Sequence, residues 1–197
     1  MHPSLLDRLP PPLPADRIVA LNRPKVDLHT HRSYAWNGWD FEVPPGVFLP
    51  GATSRMIHQR VLDDDIDVRG RSYAAVGVGL GVEAVVAGVR GAARVHALDV
   101  VTFNPPAVSR PVSQDPDIVR NVCAGTPVTD AFFDQLAERD LLAPGGEVFL
   151  IASNTADLRH IIGHALTVGF TPRIHHLHDW DDGVLTYLFR LTREADR

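Results

Sequence analysis

The sequence has a single cysteine, Cys123, among its 197 residues. One cysteine excludes an internal disulfide and any metal site that is built from several thiolates. Its simplest interpretation is a small buried apolar residue in a reducing compartment. We therefore expect no disulfide framework, no metal site of this kind and a cytoplasmic location.

Long apolar runs are also missing. No stretch approaches the roughly 18 consecutive apolar residues that a membrane-spanning helix needs. The N-terminus has no basic stretch followed by an apolar core, as a secretory signal would. We therefore expect a soluble protein without a membrane partner.

Positive charge is outweighed, since the formal net charge is −5 at pH 7 and Lys25 is the one lysine. A chain with this balance has no general attraction for a polyanion. Binding of a nucleic acid would require a local basic patch, and none stands out. A small molecule or a protein side chain is the favoured substrate, and a nucleic acid is disfavoured without being ruled out.

Prolines are concentrated at the start of the chain, at positions 3, 10, 11, 12, 14 and 24. Proline at this density interrupts both helix interiors and sheet ladders. We therefore interpret residues 1–37 as a proline-rich arm that is either extended or a loosely attached cap. Residues 38–197 have the length and the apolar content for one folded domain.

Strand-like and helix-like segments alternate along this domain. Apolar periodicity and turn residues predict strands at about 38–43, 46–49, 71–76, 94–103, 147–152, 171–178 and 184–192. They predict helices at about 53–64, capped by Thr53 or Ser54, and at about 82–89, 128–139 and 156–168. This order indicates an α/β fold with a mostly parallel sheet, covered on both faces and completed by an antiparallel hairpin.

Three glycines, Gly77, Gly79 and Gly81, occupy the junction between a predicted strand and a predicted helix. Such glycines let the backbone turn sharply and lie against a nucleotide, although they also serve tight packing of a helix on a sheet. Asp99 lies 18 residues beyond Gly81, in an apolar strand. A carboxylate at the end of such a strand commonly accepts hydrogen bonds from ribose hydroxyls.

The tripeptide Asn104-Pro105-Pro106 directly follows this strand. Two prolines fix the backbone after a strand end, so the carbonyl and the side-chain amide of Asn104 are held in a defined direction. They could orient an amino group. A strand that simply ends at prolines is the competing interpretation.

Taken in order, these segments resemble the class I S-adenosylmethionine (SAM) dependent methyltransferases, in particular the small-domain N-methyltransferases with an Asn-Pro-Pro-Phe/Tyr motif. The resemblance covers about residues 38–194 and rests on five segments of the sequence. They are Val47–Pro50 followed by Thr53-Ser54, the loop Gly77–Gly81, Asn104–Pro106, the turn Leu142–Gly146, and the final hairpin after Gly169-Phe170.

This resemblance implies a Rossmann-like sheet, SAM as cofactor, and methylation of a nitrogen in a small molecule or a macromolecular side chain. Gly77, Gly79 and Gly81 would pass around the methionine part of SAM, and Asp99 would bind its ribose. Asn104, with Pro105 and Pro106, would orient the nucleophile, so that proximity and orientation provide most of the catalysis.

The chain departs from the family pattern at three places. Ala75 stands where the family has an acidic residue, and Ala107 stands where it has an aromatic one. The segment between the glycines and Asn104 is contracted, so that one strand replaces two and the sheet has fewer than the usual seven strands. A right-handed crossover would then move helix 82–89 to the opposite face of the sheet. These departures favour an alternative function, a catalytically impaired scaffold that dimerises through its exposed sheet edge.

Two further patterns leave alternatives open. Asp27, His29 and His31 resemble the metal-binding start of the polymerase-and-histidinol-phosphatase family, which makes a metal-dependent hydrolase a minor alternative. The histidines and aspartates at 175–182 have a metal-like composition, but a solvated turn explains them as well. The aromatic residues between Tyr34 and Phe41 could form a lid over a substrate, and packing of a hairpin on the core is the favoured interpretation.

Overall fold

The computed structural model describes residues 4–22, 28–77, 79–93, 98–110, 112–116, 119 and 122–193. The described helices are α1 (Leu5–Arg8), α2 (Ala15–Asn22), α3 (Ala52–Leu62), α4 (Val82–Val89), α5 (Thr126–Glu138) and α6 (Leu158–Thr167). The described strands are β1 (Arg32–Trp36), β2 (Trp39–Val43), β3 (Tyr73–Val76), β4 (Leu98–Phe103), β5 (Leu142–Ser153), β6 (Phe170–Asp179) and β7 (Leu185–Arg193). No described helix combines the length and apolar character that crossing a membrane requires.

The main sheet has five strands in the order β3-β4-β5-β7-β6. The pairs β3–β4 and β4–β5 are parallel, whereas β7 is antiparallel to both of its neighbours. Four strands therefore run in one direction, and β6 and β7 form the antiparallel hairpin. The predicted Rossmann-like α/β fold, with fewer than seven strands among the described residues, is confirmed.

Apolar residues cover both faces of this sheet. Val101 and Phe103 of β4 face the helices α5 and α6 and belong to one buried cluster with Phe133 and Ile161. Val100 faces the other way, toward α3 and α4. The alternation follows from the period of two residues along a strand. The sheet is thus the central layer of three.

The two parallel crossover connections of the sheet have opposite hands. The chain advances from β3 to β4 and from β4 to β5 in the same direction, yet α4 and α5 lie on opposite faces. Two right-handed connections would place both helices on the same face. In the ordinary doubly wound sheet, the strands equivalent to β4 and β5 are neighbours joined by a right-handed connection. We therefore assign the left-handed connection to β3–α4–β4. The expectation that α4 would change face is therefore wrong.

Contacts with α3 hold α4 on its face. Val82, Val86 and Ala87 of α4 are buried in one cluster with Ile57 and Val61 of α3. Burying one Val or Ile side chain contributes about 1.5–3 kcal/mol, so this cluster stabilises the observed position of α4 by several such contributions. The preference for right-handed connections does not take into account the packing of α4 on α3.

Several predicted boundaries required correction. The hairpin β1–β2 turns at Asn37-Gly38, where both residues have positive φ, and residues 46–49 form no strand. Helix α3 begins after Gly51, without a side-chain cap from Thr53 or Ser54. The predicted turn at 143–146 is an irregularity within β5, which begins at Leu142. The bounds of α4 agree with the prediction.

The proline-rich segment is docked on the core through Leu9 and Leu13, whereas we predicted an extended arm or a loosely attached cap. Its prolines lie largely between α1 and α2, where they interrupt neither helix. Leu9 is 1% exposed and belongs to the cluster of α5 and α6. Its carbonyl accepts a hydrogen bond from Arg159 at 3.0 Å, and Leu13 N–H donates to the Asn154 carbonyl at 2.8 Å. The boundary at residue 37 stays a prediction, and β1 lies before it.

We expect Leu9→Ala to lower the free energy of unfolding by about 2–5 kcal/mol, since it leaves a cavity in the core. Urea unfolding followed by circular dichroism measures the change. Leu177→Ala is the matched control because Leu177 is 46% exposed, and we expect a change within about 0.5 kcal/mol. Equal stability of the two variants would contradict docking of the arm.

Candidate functional site

The glycine loop, residues 77–81, and Asn104 leave the sheet side by side. Val76, the last residue of β3, pairs with Phe103, the last residue of β4, in a parallel register. Gly77 and Asn104 follow this pair directly. Carboxyl ends of neighbouring parallel strands are the usual place for ligands in open α/β sheets. The β3–β4 pairing therefore unites two of the predicted elements at one edge.

A cleft lies over this edge and has two lobes. The glycine lobe, of about 190 Å³, is lined by Gly77, Gly79, His58 and Glu83 among others. The proline lobe, of about 300 Å³, is lined by Pro105, Pro106, Ser153 and Thr155 among others. Both lobes share Phe48, Leu49, Ser54 and Asn104. Together they reach the size range of small-molecule sites.

The three glycines of the loop have left-handed backbone conformations, with φ of 70°, 49° and 81° at Gly77, Gly79 and Gly81. Only glycine adopts this region readily. A Cβ built at Gly77 or Gly81 would meet no described atom within 4 Å. Tight packing therefore does not explain these two glycines, and the space next to them is open.

Asn104 links the two lobes through its side chain. Its Nδ2 donates a hydrogen bond to Ser54 Oγ at 2.9 Å, which ties the end of β4 to the first turn of α3. This fixes the amide plane and leaves Oδ1 as the remaining acceptor. The Pro105 and Pro106 carbonyls accept hydrogen bonds from the backbone N–H groups of Ala107 and Gly125, at 2.8 and 3.3 Å. The loop is held by its own backbone.

Asp99 does not join this cleft. It lies at the beginning of β4, whereas Asn104 follows the end, and five residues of strand span about 16 Å. The Ser72 backbone N–H donates to Asp99 Oδ2 at 2.7 Å and lowers the pKa of this carboxyl group. The predicted contact of Asp99 with a ribose is therefore wrong. β4 is the strand that leads into Asn104-Pro105-Pro106, and Asp99 lies at the end of β4 that is remote from the cleft.

A buried polar network that the sequence analysis missed reaches the glycine lobe through two of its members, Glu83 and His58. Glu83 Oε2 accepts a hydrogen bond from Thr102 Oγ1 at 2.8 Å, and Thr102 Oγ1 lies 2.6 Å from the Tyr73 hydroxyl. His58 Nε2 lies 3.5 Å from Glu83 Oε1. Burial raises the pKa of the Tyr73 phenol. The signal was a glutamate within the apolar helix Val82–Val89, together with a histidine on the apolar side of α3.

The other candidate clusters have ordinary explanations. Asp27 lies outside the described residues, and His29 Nε2 lies 3.2 Å from Asp115 Oδ2. No group of three or more metal-binding side chains with suitable geometry occurs in the part of the chain that the structure describes. His176 Nδ1 lies 2.8 Å from an Arg60 nitrogen, and burial and this guanidinium lower the pKa of His176.

The aromatic residues of the β1–β2 hairpin pack on the core, as the favoured interpretation predicted. Tyr34 is buried, and Trp36 and Phe41 contact the cluster that contains α3 and α4. The Trp36 ring also meets His58 edge-on at 5.5 Å. None of them is among the described residues that line the cleft.

Comparison with known proteins gives similarities in structure alone. No family model matches the sequence, and no curated protein matches it. A chain of the E. cuniculi Mtq2–Trm112 complex, responsible for methylation of the termination factor eRF1, superposes with TM-score 0.51 at 17% identity, covering 76% of this chain and 99% of that one. The T. thermophilus 16S rRNA N2 G1207 methyltransferase RsmC superposes with TM-score 0.52 at 16% identity, covering 87% and 52%.

The chain has a class I methyltransferase fold. A putative SAM-dependent methyltransferase from Streptococcus mutans is similar to the same extent, with TM-score 0.52 at 10% identity, covering 86% of this chain and 57% of that one. The chain thus spans about half the length of two of these three structures. In this methyltransferase fold, the cleft between the glycine loop and Asn104 has the position of a ligand site at the carboxyl ends of parallel strands.

We expect Asp99→Asn to destabilise the fold by about 1 kcal/mol without changing ligand affinity in the cleft. The folded-state pKa of Asp99 is depressed, so its stabilising contribution is complete above the ordinary value of 3.8 and is lost as the pH falls through the folded-state pKa. Chemical unfolding between pH 7 and pH 3 should show wild type and variant converging in acid. Asp140→Asn is the control, since this side chain is 91% exposed.

Proposed function

We propose that the protein is a SAM-dependent methyltransferase that methylates a nitrogen of a small molecule or of a macromolecular side chain. The observation that carries this proposal is that the glycine loop and Asn104 line two lobes of one cleft, at the carboxyl ends of paired strands. The predicted domain 38–197 contains the whole cleft. Cytoplasmic location is part of the same proposal.

The residues of the glycine lobe fit the amino-acid half of SAM. Gly77 and Gly79 line the lobe, and Gly81 ends the loop; apart from their chain neighbours, no described atom lies within 4 Å of a Cβ built at Gly77 or Gly81. The first amide groups of α4 follow Gly81, and they have no side-chain cap. Uncapped amide groups at a helix N-terminus attract a carboxylate. When bound here, SAM would supply an activated methyl group.

The proline lobe fits a neutral acceptor. Its described lining contains no charged side chain, and the polar side chains of this lining are those of Asn104 and of the hydroxyl residues Thr53, Ser54, Ser153 and Thr155. Asn104 Oδ1 would accept a hydrogen bond from the acceptor nitrogen and direct its lone pair toward the glycine lobe. The methylated nitrogen would then release its proton to solvent, so the orienting role of Asn104 requires no general base. An amide nitrogen or the amino group of a base is therefore favoured over a cationic amine.

The similar structures support this class of acceptor without identifying it. RsmC was solved in complex with AdoMet and guanosine, and the Mtq2–Trm112 complex methylates a protein. Both acceptors in these descriptions are parts of macromolecules. For this chain the identity of the acceptor, and of any partner protein, belongs to the proposal.

Isothermal titration with SAM, followed by transfer of a tritiated methyl group to guanosine and to glutamine-containing peptides, tests the proposal. We expect Asn104→Ala to reduce transfer at least about 100-fold, because orientation of the acceptor is lost, and to leave SAM affinity nearly unchanged. The control is Asn154→Ala, since the Asn154 side chain hydrogen-bonds Gly183 and Leu185 and lies outside the described lining of the cleft. Absence of SAM binding at millimolar concentration would overturn the proposal.

A second candidate function is a methyltransferase-like scaffold that self-associates. An apolar groove of about 460 Å³ lies between β3, β4 and α5. It is lined among others by Val76, Leu98, Phe103, Phe132, Leu136 and Leu141. Among the described residues, β3 pairs with β4 alone, so the groove continues into a sheet edge. A second copy of the chain could cover both.

We expect Ala131→Arg to abolish self-association if this scaffold function is correct, since Ala131 is exposed in the groove and a charge would be buried at the contact. Sedimentation velocity over a range of concentrations measures it. Ala84→Arg on α4 is the matched control, because Ala84 is also exposed but lies outside the groove. A monomeric wild-type chain at high concentration would contradict the scaffold function.

A further inference from the structure

Glu83 is a buried carboxylate without a cationic partner among the described residues. It is 8% exposed, and its described partners are the Thr102 hydroxyl and His58. A buried charge is expensive unless a charge of opposite sign compensates it. A carboxylate also offers about four acceptor positions, of which these partners occupy two. Glu83 can therefore accept further hydrogen bonds, and a positively charged ligand would compensate its charge.

The comparison with Glu147 shows how this chain ordinarily treats a buried glutamate. Glu147 is also 8% exposed. Its Oε1 accepts from Arg190 and its Oε2 lies 3.2 Å from Arg71 Nη1, so two guanidinium groups compensate one carboxylate. Glu147 lies outside the described lining of the cleft, whereas Glu83 lines the glycine lobe. The uncompensated carboxylate is thus the one at the candidate ligand site.

His58 adds a second acceptor at the same place. It is 3% exposed and lines the glycine lobe. Its Nε2 lies 3.5 Å from Glu83 Oε1, and in the neutral imidazole whose Nε2 donates to this carboxylate, Nδ1 is the acceptor. Nδ1 is buried and has no described hydrogen-bond partner. Two acceptors, one of them charged, therefore line a lobe in which no described side chain is cationic.

A compact cation with several hydrogen-bond donors would interact favourably with both Glu83 and His58 Nδ1. An ammonium group has three N–H donors and one positive charge. A divalent metal ion fits less well, because Glu83 is the one carboxylate of the described lining and no group of three metal-binding side chains is found among the described residues. The ligand of the proposed function carries an ammonium group on its amino-acid part.

We propose that Glu83, with His58, binds the ammonium group of the cofactor's amino-acid part and so replaces the acidic residue that is absent at Ala75. This inference rests on the proposed function. Ala75 lies in β3, before the glycine loop, while Glu83 lies in the first turn of α4, after it. The loop between them lines the same lobe. In this chain, the proposed carboxylate lies on the helix after the loop, whereas the family pattern has it on the strand before the loop.

Two ligands with an uncharged sulfur measure the effect of this ammonium group on affinity. 5′-Methylthioadenosine has the adenosine and the sulfur but no ammonium group. Decarboxylated S-adenosylhomocysteine has an aminopropyl chain on the sulfur in place of the methyl group. Isothermal titration should show that the wild-type chain binds the second ligand at least about tenfold more tightly, the effect of one charge-assisted hydrogen bond. Glu83→Gln should remove this difference and leave the affinity for 5′-methylthioadenosine unchanged.

The control variant is Glu147→Gln, which removes the other buried carboxylate and should keep the tenfold preference. Unchanged binding of 5′-methylthioadenosine by Glu83→Gln shows that its cleft is folded, and if that variant fails to fold, the wild-type preference still decides. Equal wild-type affinity for the two ligands, or a preference that survives Glu83→Gln, would overturn the inference while leaving the proposed function standing. Absence of binding by both ligands and by SAM would overturn both.

Discussion

The contact between α3 and α4 is the interaction on which the site depends. Apolar residues such as Ile57 and Val86 form most of this contact, and the pair of His58 and Glu83 lies beside them. Because α4 is held against α3, Glu83 of α4 lies beside His58 of α3. The parallel pairing of β3 with β4 brings Asn104 next to the glycine loop. A helix α4 on the opposite face of the sheet would separate Glu83 from His58.

The same contact joins stability to binding. Glu83 accepts from Thr102 in β4 and faces His58 in α3, so three elements of the fold meet at one carboxylate. Such a group costs free energy when it is buried without a cation, and a cationic ligand would offset that cost. Burial of the Glu83 charge would therefore lower the stability of the free protein and increase its affinity for a cationic ligand.

Local patterns in the sequence predicted much of the fold, while its long-range arrangement could not be read from them. Gly81 and Gly91 mark the ends of α4 correctly because helix termination is a local property. The hairpin β1–β2 was misplaced because Asn37-Gly38 and Pro44–Gly46 are both turn signals, and the local pattern does not select between them. Asp99 was assigned to the wrong edge because the position of a residue within a predicted strand does not show which end of that strand faces a ligand. The roles of Glu83 and His58 depend on a contact between helices that no periodicity reveals.

The parallel ladder between β3 and β4 has a consequence for how firmly the site is built. Adjacent strands are separated by about 4.8 Å, a distance that backbone hydrogen bonds maintain whatever the side chains are. The spacing of the glycine loop from Asn104 is therefore inherited from main-chain geometry. Mutational drift of the cleft lining can alter which molecule is accepted there, while the alignment of the two loops persists as long as Val76 remains opposite Phe103.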